Sequence, residues 1–318
     1  MEEVAKKRDV KLQDIKKDYE FFSEYVENAD NLIRRKGYQI HTTVKKDIYD
    51  AMQKAKDGVL DNPSYFQAPK TALRTDPKTG EKVSKKYPME VGAILIENST
   101  GKILSFVGGR DYEESQLNHA TQAYRSNGST MKPLLDYAPA MELGKVHPGY
   151  MLADTPLNHN GWKPKNYGGG YKGLVTTREA LAKSINVPAA RAYLMMDPYE
   201  ATGYLEKMGF TSLMSGDRYN RSMALGALQR GVTVEENTNA YATFANGGTF
   251  QDAYLIEKIV DNHGKVIYEH KAKPVEVFSP QTAYLTIDMM RDVIYGGGTA
   301  SRVPSYLKFR TDWAGKTG

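Results

Sequence analysis

Lys316-Thr317-Gly318 closes the segment WAGKTG, and its letters overlap two different chemistries. Read as G-K-T, they suggest a phosphate loop, which needs G-x-x-x-x-G-K-[ST] between an apolar strand and a helix. The first glycine of that pattern would fall at Arg310, and the preceding KFRTDW is too polar for a buried parallel strand. Read as K-T-G, they form the third part of a nucleophilic-serine signature that begins with S-x-x-K and continues with a serine triplet ending in asparagine. A lone K-T-G carries nothing: the same tripeptide recurs at Lys78-Thr79-Gly80, inside the polar turn DPKTGEK. Company and order decide.

S-x-x-K occurs at Ser99/Lys102, Ser129/Lys132 and Ser305/Lys308. Ser99 lies in a turn between two apolar runs, and Ser305 follows Pro304 with no helix behind it. Only Ser129 opens a helical pattern, NGSTMKPLLDYAPAMELG. Residues three apart on a helix share a face, so the Lys132 amine can reach the Ser129 hydroxyl. A serine in the first turn also sits at the positive end of the helix dipole, which favours a developing alkoxide. Pro133 is tolerated there because its missing N–H has no helical partner. S-x-N occurs once, at Ser184-Ile185-Asn186, about 55 residues after Ser129; Lys316 follows about 130 residues later. A serine helix start or a polar interhelical turn is the ordinary reading of each piece. Together and in order they point to acyl transfer through a serine ester.

The elements that must position these residues follow from periodicity. Residues 1–37 are charge-rich and helix-prone, with Phe21, Phe22, Tyr25, Val26, Leu32 and Ile33 on one face and Gly37 as a stop. YQIHTTV alternates like a strand, and KKDIYDAMQKAKDGVL has helical spacing. Asp61 to Lys86, with Pro63, Pro69 and Pro77, reads as a loop. VGAILIE and KILSFVG flank NSTG as a hairpin of two buried strands. The helix from Ser129 turns Met131, Leu134, Leu135, Ala138 and Met141 inward and ends at Gly144. After the loop GWKPKNYGGGYKG, helices run to Ala245. IEKIVDNHGKVIYE reads as a smaller hairpin, and Ser279-Pro280 opens the final helix as N-cap and N1. KFRTDWAGKTG reads as the last strand.

Composition removes other classes. The absence of cysteine excludes disulfides, thiolate metal sites and cysteine nucleophiles. Six scattered histidines, His41, His119, His147, His159, His263 and His270, make no ligand spacing, so neither a metal nor a cofactor is expected. The charge of +5 is dispersed, without the basic block of a nucleic-acid footprint. No stretch approaches the roughly 20 apolar residues of a membrane span, and the N-terminus lacks the apolar core of a secretory signal. Gly128-Ser129 lacks the G-x-S-x-G elbow of a Ser-His-Asp hydrolase.

From about Tyr19 to Gly318 the chain resembles the transpeptidase domain of class A, bifunctional penicillin-binding proteins. Beyond the three motifs, the resemblance is carried by EVGAILIENSTGKILSFVGGRDYEESQLNHATQAYRSNGSTMKP, GYQIHTTV, GWKPKNYGGGYKG and AYATFANGGT. It implies an α+β fold of the penicillin-binding/β-lactamase-like type: an antiparallel sheet flanked by helices, with a helical subdomain. Residues 1–38 would be a linker and 39–318 the transpeptidase domain. It further implies a D,D-transpeptidase that joins peptidoglycan stem peptides, with β-lactam antibiotics as inhibitors. Ser129 would be the nucleophile, Lys132 the base and Ser184 a proton relay. Asn186 would hold the donor peptide, Lys316 and Thr317 its terminal carboxylate, and Gly318 would let the peptide backbone lie close.

The nearest rival, a class A β-lactamase, needs a glutamate to activate the deacylating water. MSGDRYNRSMALG has none where the family would place it, so a β-lactam is expected to acylate Ser129 and stay. The resemblance also implies a second oxyanion donor just after K-T-G, further strands, an upstream glycosyltransferase domain and an N-terminal membrane anchor on the extracytoplasmic face of a bacterial cytoplasmic membrane. The expectation is therefore an internal fragment. Its alternatives are a catalytically incomplete β-lactam- or peptide-binding piece, or a D,D-carboxypeptidase.

Overall fold

The computed structural model describes residues 19–60, 70–75, 79–87, 89–309 and 311–318, in two compact units. The described part of the smaller comprises residues 19–43 and 254–271. Its helix α1, Tyr19–Arg35, matches the helical reading and ends before Gly37, whose φ of 62° needs a residue without a side chain. The apolar face is less clear. Val26 and Ile33 are exposed, while the side chains of Phe21, Phe22 and Tyr25, like residues 1–18, lie outside the described set. Gln39–Thr42 is the expected strand and pairs antiparallel with Ile256–Val260, which pairs in turn with Val266–Glu269. The Asp261 carboxylate accepts from the backbone N–H of His263 and Lys265 and closes that hairpin.

The larger unit carries the rest. Helix α2, Lys46–Leu60, forms as its spacing predicts. The loop expected over 61–86 is overturned in its second half: Lys70–Thr75 and Lys82–Tyr87 pair antiparallel, in register from Lys70↔Tyr87 to Thr75↔Lys82. Both strands are polar, KTALRT and KVSKKY, and their lysines and arginine give the composition of a loop. The Ala93–Ile96 and Ile103–Val107 hairpin forms, with Ser99 in its turn as expected. Only its second strand is well buried, through Ile103, Ser105 and Val107; Leu95 on the first is exposed.

The segment behind Ser129 is not a plain α-helix. A 3-10 turn, Gly128–Thr130, leads into a π-helical stretch, Lys132–Tyr137, and then into helix α3, Ala138–Glu142. Pro133 and Pro139 each remove a donor from the α ladder, and the Ala138 N–H reaches back five residues to the Pro133 carbonyl. The inward residues are as predicted, and more besides: every residue from Met131 to Ala140 is buried. Gly144 ends the helix with φ 65°.

Strands Met151–Asp154 and Gly173–Thr176 pair antiparallel. Thr176 caps helix α4, Thr177–Ala182; Ser184 lies in the bend before helix α5, Asn186–Tyr193. Helix α6, Pro198–Lys207, is capped by Asp197. Helix α7, Val234–Ala245, starts with a capping box between Thr233 and Glu236. Helix α8, Pro280–Ile294, has Ser279 as N-cap and Pro280 at N1, as read from the sequence. The buried π-helical stretch shares one hydrophobic core with Leu181, Ala189, Leu205, Met223, Phe244 and Met289. Tyr204, Phe278 and Phe244 continue this core as a stack, with ring centroids 5.1 and 5.5 Å apart.

The last expected strand is not one. Residues 311–318 are extended without a strand partner among the described residues. Side chains and loose ends of α8 hold them instead: the Tyr295 hydroxyl donates to the Thr311 carbonyl, and the Gly315 N–H reaches the Met290 carbonyl at 3.4 Å.

Candidate active site

Lys132 is wholly buried, so its ammonium must find partners inside the protein. It donates to the Ser184 carbonyl at 2.7 Å, to Asn186 Oδ1 at 2.7 Å and to Ser184 Oγ at 3.2 Å. Lys316 arrives from the other side and donates to the same Ser184 Oγ at 2.8 Å and to the Thr317 carbonyl at 3.0 Å. Two amines thus meet on one hydroxyl. Burial pushes the Lys132 amine down to about 7, with the neighbouring Lys316 cation adding to the effect; burial alone lowers Lys316 to about 8.

The backbone around Ser184 is built for this contact. Ser184 has φ 55°, the left-handed region that a side chain rarely adopts. That conformation turns its carbonyl and its hydroxyl toward the same ammonium. Asn186, the first residue of α5, is held from behind: its Nδ2 donates to the Lys165 carbonyl at 2.9 Å, which leaves Oδ1 for Lys132. Asn166 steadies that loop by donating to Asp154 and accepting the Val187 N–H. The glycine-containing loop GWKPKNYGGGYKG is therefore the back wall of the site.

Ser129 lies in the 3-10 turn that begins at Gly128, whose φ is 53°. Among the described residues its hydroxyl has no hydrogen-bond partner, and Lys132 points to Ser184 and Asn186 rather than to it. The expected direct Ser129–Lys132 contact is thus not made in this state; catalytic hydrogen bonds commonly tighten only around a substrate. Gly318 packs on this turn. A Cβ there would lie 2.7 Å from the Asn127 carbonyl and 2.9 Å from Thr130 Cγ2, so only glycine fits. The Thr317 hydroxyl pairs with that of Thr299 at 2.7 Å. All seven residues singled out in the sequence, Ser129, Lys132, Ser184, Asn186, Lys316, Thr317 and Gly318, converge on one region of the larger unit.

Some neighbours were not foreseen. Asp136, four residues beyond Lys132 on the same π-helical stretch, is fully buried, and neither carboxylate oxygen has a partner. Burial raises its pKa well above the ordinary carboxylate value, against the opposing pull of the Lys132 charge. Its signal in the sequence was a lone acid in an apolar run, LLDYAPA. Thr299 gave no signal at all. Among the described residues no group of histidines, aspartates and glutamates could hold a metal ion.

A serine turn, two lysines on one hydroxyl and an asparagine held from behind thus lie together in the larger unit. Residues 91–318 match the family described as the penicillin binding protein transpeptidase domain. The chain belongs to the penicillin-binding protein transpeptidase family. Penicillin-binding protein 1F of Bacillus subtilis is 32% identical over 276 residues, which is 87% of this chain and 35% of that protein. Penicillin-binding protein 1A of Clostridium acetobutylicum is also 32% identical, over 96% of this chain and 37% of its own length. The chain spans little more than a third of these penicillin-binding proteins. Among solved structures, penicillin-binding protein 1A of Haemophilus influenzae superposes with a TM-score of 0.69 over 90% of this chain and 60% of its own, at 23% identity. PonA1 of Mycobacterium tuberculosis, solved with penicillin V, superposes with a TM-score of 0.66 over 86% of this chain and 69% of its own, at 21% identity. The fold is accordingly the α+β fold of penicillin-binding transpeptidases.

Proposed function

We propose that this chain is the transpeptidase part of a class A penicillin-binding protein, with residues 1–38 leading into a domain over 39–318. It acts on peptidoglycan stem peptides at the outer face of a bacterial cytoplasmic membrane. The observation that carries the chemistry is the Ser184 hydroxyl shared by Lys132 and Lys316. With its amine lowered to about 7, Lys132 is part neutral at neutral pH and able to take a proton.

Ser129 Oγ attacks the carbonyl between the last two D-alanines. The O–C bond forms, the C–N bond breaks, and the hydroxyl proton passes to Lys132. Of the three groups around the Lys132 amine, two are carbonyl oxygens that can only accept, whereas Ser184 carries a proton of its own. The route out of Lys132 therefore runs through Ser184 Oγ, to the departing D-alanine amine. Lys316, with Thr317 and Thr299, offers a cation and hydroxyls to the terminal carboxylate, and Asn186 an amide to the donor peptide. An amine from a second stem then attacks the Ser129 ester, gives up its proton along the same route and completes the cross-link. β-Lactams enter the first half of this sequence and remain.

The experiment is acylation by a fluorescent penicillin followed by peptide mapping. Label is expected on the peptide containing Ser129 and absent in Ser129→Ala. Label that persists in Ser129→Ala, or that maps elsewhere, removes the proposal.

A further inference from the structure

Helix α7 grips the nucleophile's turn at two points one helical turn apart. Asn237 Oδ1 accepts from Asn127 Nδ2 at 2.8 Å and lies 3.3 Å from the Thr130 hydroxyl oxygen. Tyr241 donates its buried phenol to the Thr130 carbonyl at 2.7 Å. Thr130 is in turn tied to the Asn127 carbonyl through its hydroxyl, at 2.6 Å. Residues 127 and 130 flank Ser129, so both ends of its turn are bonded to one face of one helix. Among the described residues neither Asn237 nor Tyr241 hydrogen-bonds Ser129 itself.

A third contact closes the cradle. The Ser126 hydroxyl donates to the Gly226 carbonyl at 2.6 Å, and a Cβ on Gly226 would fall 2.2 Å from the Gly128 carbonyl oxygen. The turn thus sits between Gly226 on one side and α7 on the other. Gly128 holds φ 53°, which glycine adopts freely, and the 3-10 turn it opens has poorer hydrogen-bond geometry than an α-helix. Such a turn is held less firmly by its own bonds, so side chains that fasten it from outside count for more.

We infer that Asn237 and Tyr241 are positioning residues that fix the 127–130 turn and thereby aim the Ser129 hydroxyl at the acyl carbonyl. The inference rests on the acyl-transfer reading above. It makes a separable demand: the two side chains matter to the chemical step and neither to the capture of the ligand nor to the proton route. Their bonds go to Asn127 and Thr130, while the proton route runs through Lys132 and Ser184, which neither of them hydrogen-bonds. Tyr241 is held far above the ordinary phenol range by burial, so it remains a donor throughout the working pH range.

The test is time-resolved acylation of the 318-residue chain by a fluorescent penicillin, separating the initial dissociation constant from the first-order acylation constant. A misplacement of about 1 Å in a reacting atom costs about 10²-fold in rate. Tyr241→Phe and Asn237→Ala each remove part of the grip. Each is expected to lower the acylation constant roughly 10-fold or more on that scale, with the dissociation constant within about threefold and the midpoint of the pH profile unmoved. Asn237→Asp keeps the acceptor for Asn127 Nδ2 and is expected to recover most of the rate. Thr233→Ala weakens the start of the same helix by loss of its cap, without touching the turn, and is expected to lower Tm while leaving the acylation constant unchanged. Wild-type acylation constants in both grip variants, or losses no larger than the drop in folded fraction, would overturn the inference while leaving Ser129 as nucleophile. A wild-type chain that takes no label at Ser129 would overturn both.

Discussion

Replacing Lys316 by methionine is expected to move the acid limb of acylation to higher pH. Lys132 and Lys316 hydrogen-bond the same Ser184 Oγ at 3.2 and 2.8 Å, so their nitrogens are at most about 6 Å apart. Two unit charges at about that distance repel by about 3 kcal/mol at an effective dielectric of 20. That repulsion alone is worth about two pH units in the Lys132 titration. It is an upper figure, because Lys316 is itself lowered to about 8 and because burial outranks Lys316 as the cause of the Lys132 shift. Methionine keeps the apolar stem in place, so the burial of Lys132 is not relieved. The expected displacement is therefore about one unit, upward from a midpoint near 7.

The sign is fixed by the role of the base. Acylation needs neutral Lys132; removing a like charge favours its ammonium; the rate at pH 6 to 7 falls by up to about tenfold and recovers as pH rises. The assay is the acylation constant for a chromogenic β-lactam between about pH 5.5 and 9.5, where the midpoint and not the plateau is compared. The plateau falls as well, because Lys316 is expected to hold the ligand carboxylate. A midpoint that stays put, or moves down, refutes the claim that the two amines share a proton-bearing hydroxyl.

Two further outcomes follow from the same structure. Unfolded Lys132 keeps its proton up to about pH 10.5 and folded Lys132 only to about 7, so the unfolded state binds more protons in that window and stability is lost as pH falls through it, by about 5 kcal/mol in total. Lys132→Met is therefore expected to stabilise the chain more at pH 7 than at pH 10 in urea titrations; a gain independent of pH would show that the ammonium is not buried at a cost. Gly226→Ala puts a side chain at φ 83° and within 2.2 to 2.5 Å of the Gly128 backbone, so it is expected to cost several-fold more in acylation rate than Gly144→Ala, where nothing lies within 4 Å; equal rates would show that the cradle yields freely.

Much of the site was legible because its chemistry is tied to helix starts. Ser129 precedes Pro133, Ser184-Ile185-Asn186 precedes Pro188, and Ser279-Pro280 opens α8; in each case side-chain type and backbone role are set by the same few neighbours. What escaped the sequence has a common physical origin. The strands at 70–87 pair across residues whose polarity says loop, and pairing is a property of two segments that neither shows alone. The π-helical stretch depends on two prolines six residues apart acting on one ladder, and it was read as an ordinary helix because apolar spacing barely distinguishes the two windings.

Asn237 and Tyr241 are the instructive case. Within α7 they sit four apart among Ala240, Ala242, Thr243 and Phe244, and nothing in that spacing distinguishes a pair that faces a solvent groove from one that faces a nucleophile. Periodicity reports which side of a helix is inward; it does not report what waits there. The motif residues could be found because each piece is a short, ordered pattern of residue types, although the contacts they make, such as Lys132 and Lys316 to Ser184, span 52 and 132 positions. The residues that aim the hydroxyl act over more than a hundred positions of sequence, from Asn237 to Asn127 and from Tyr241 to Thr130. A search for them by motif must fail. The hydrogen bonds to Asn127 and Thr130, the two ends of the turn that carries the nucleophile, identify them at once.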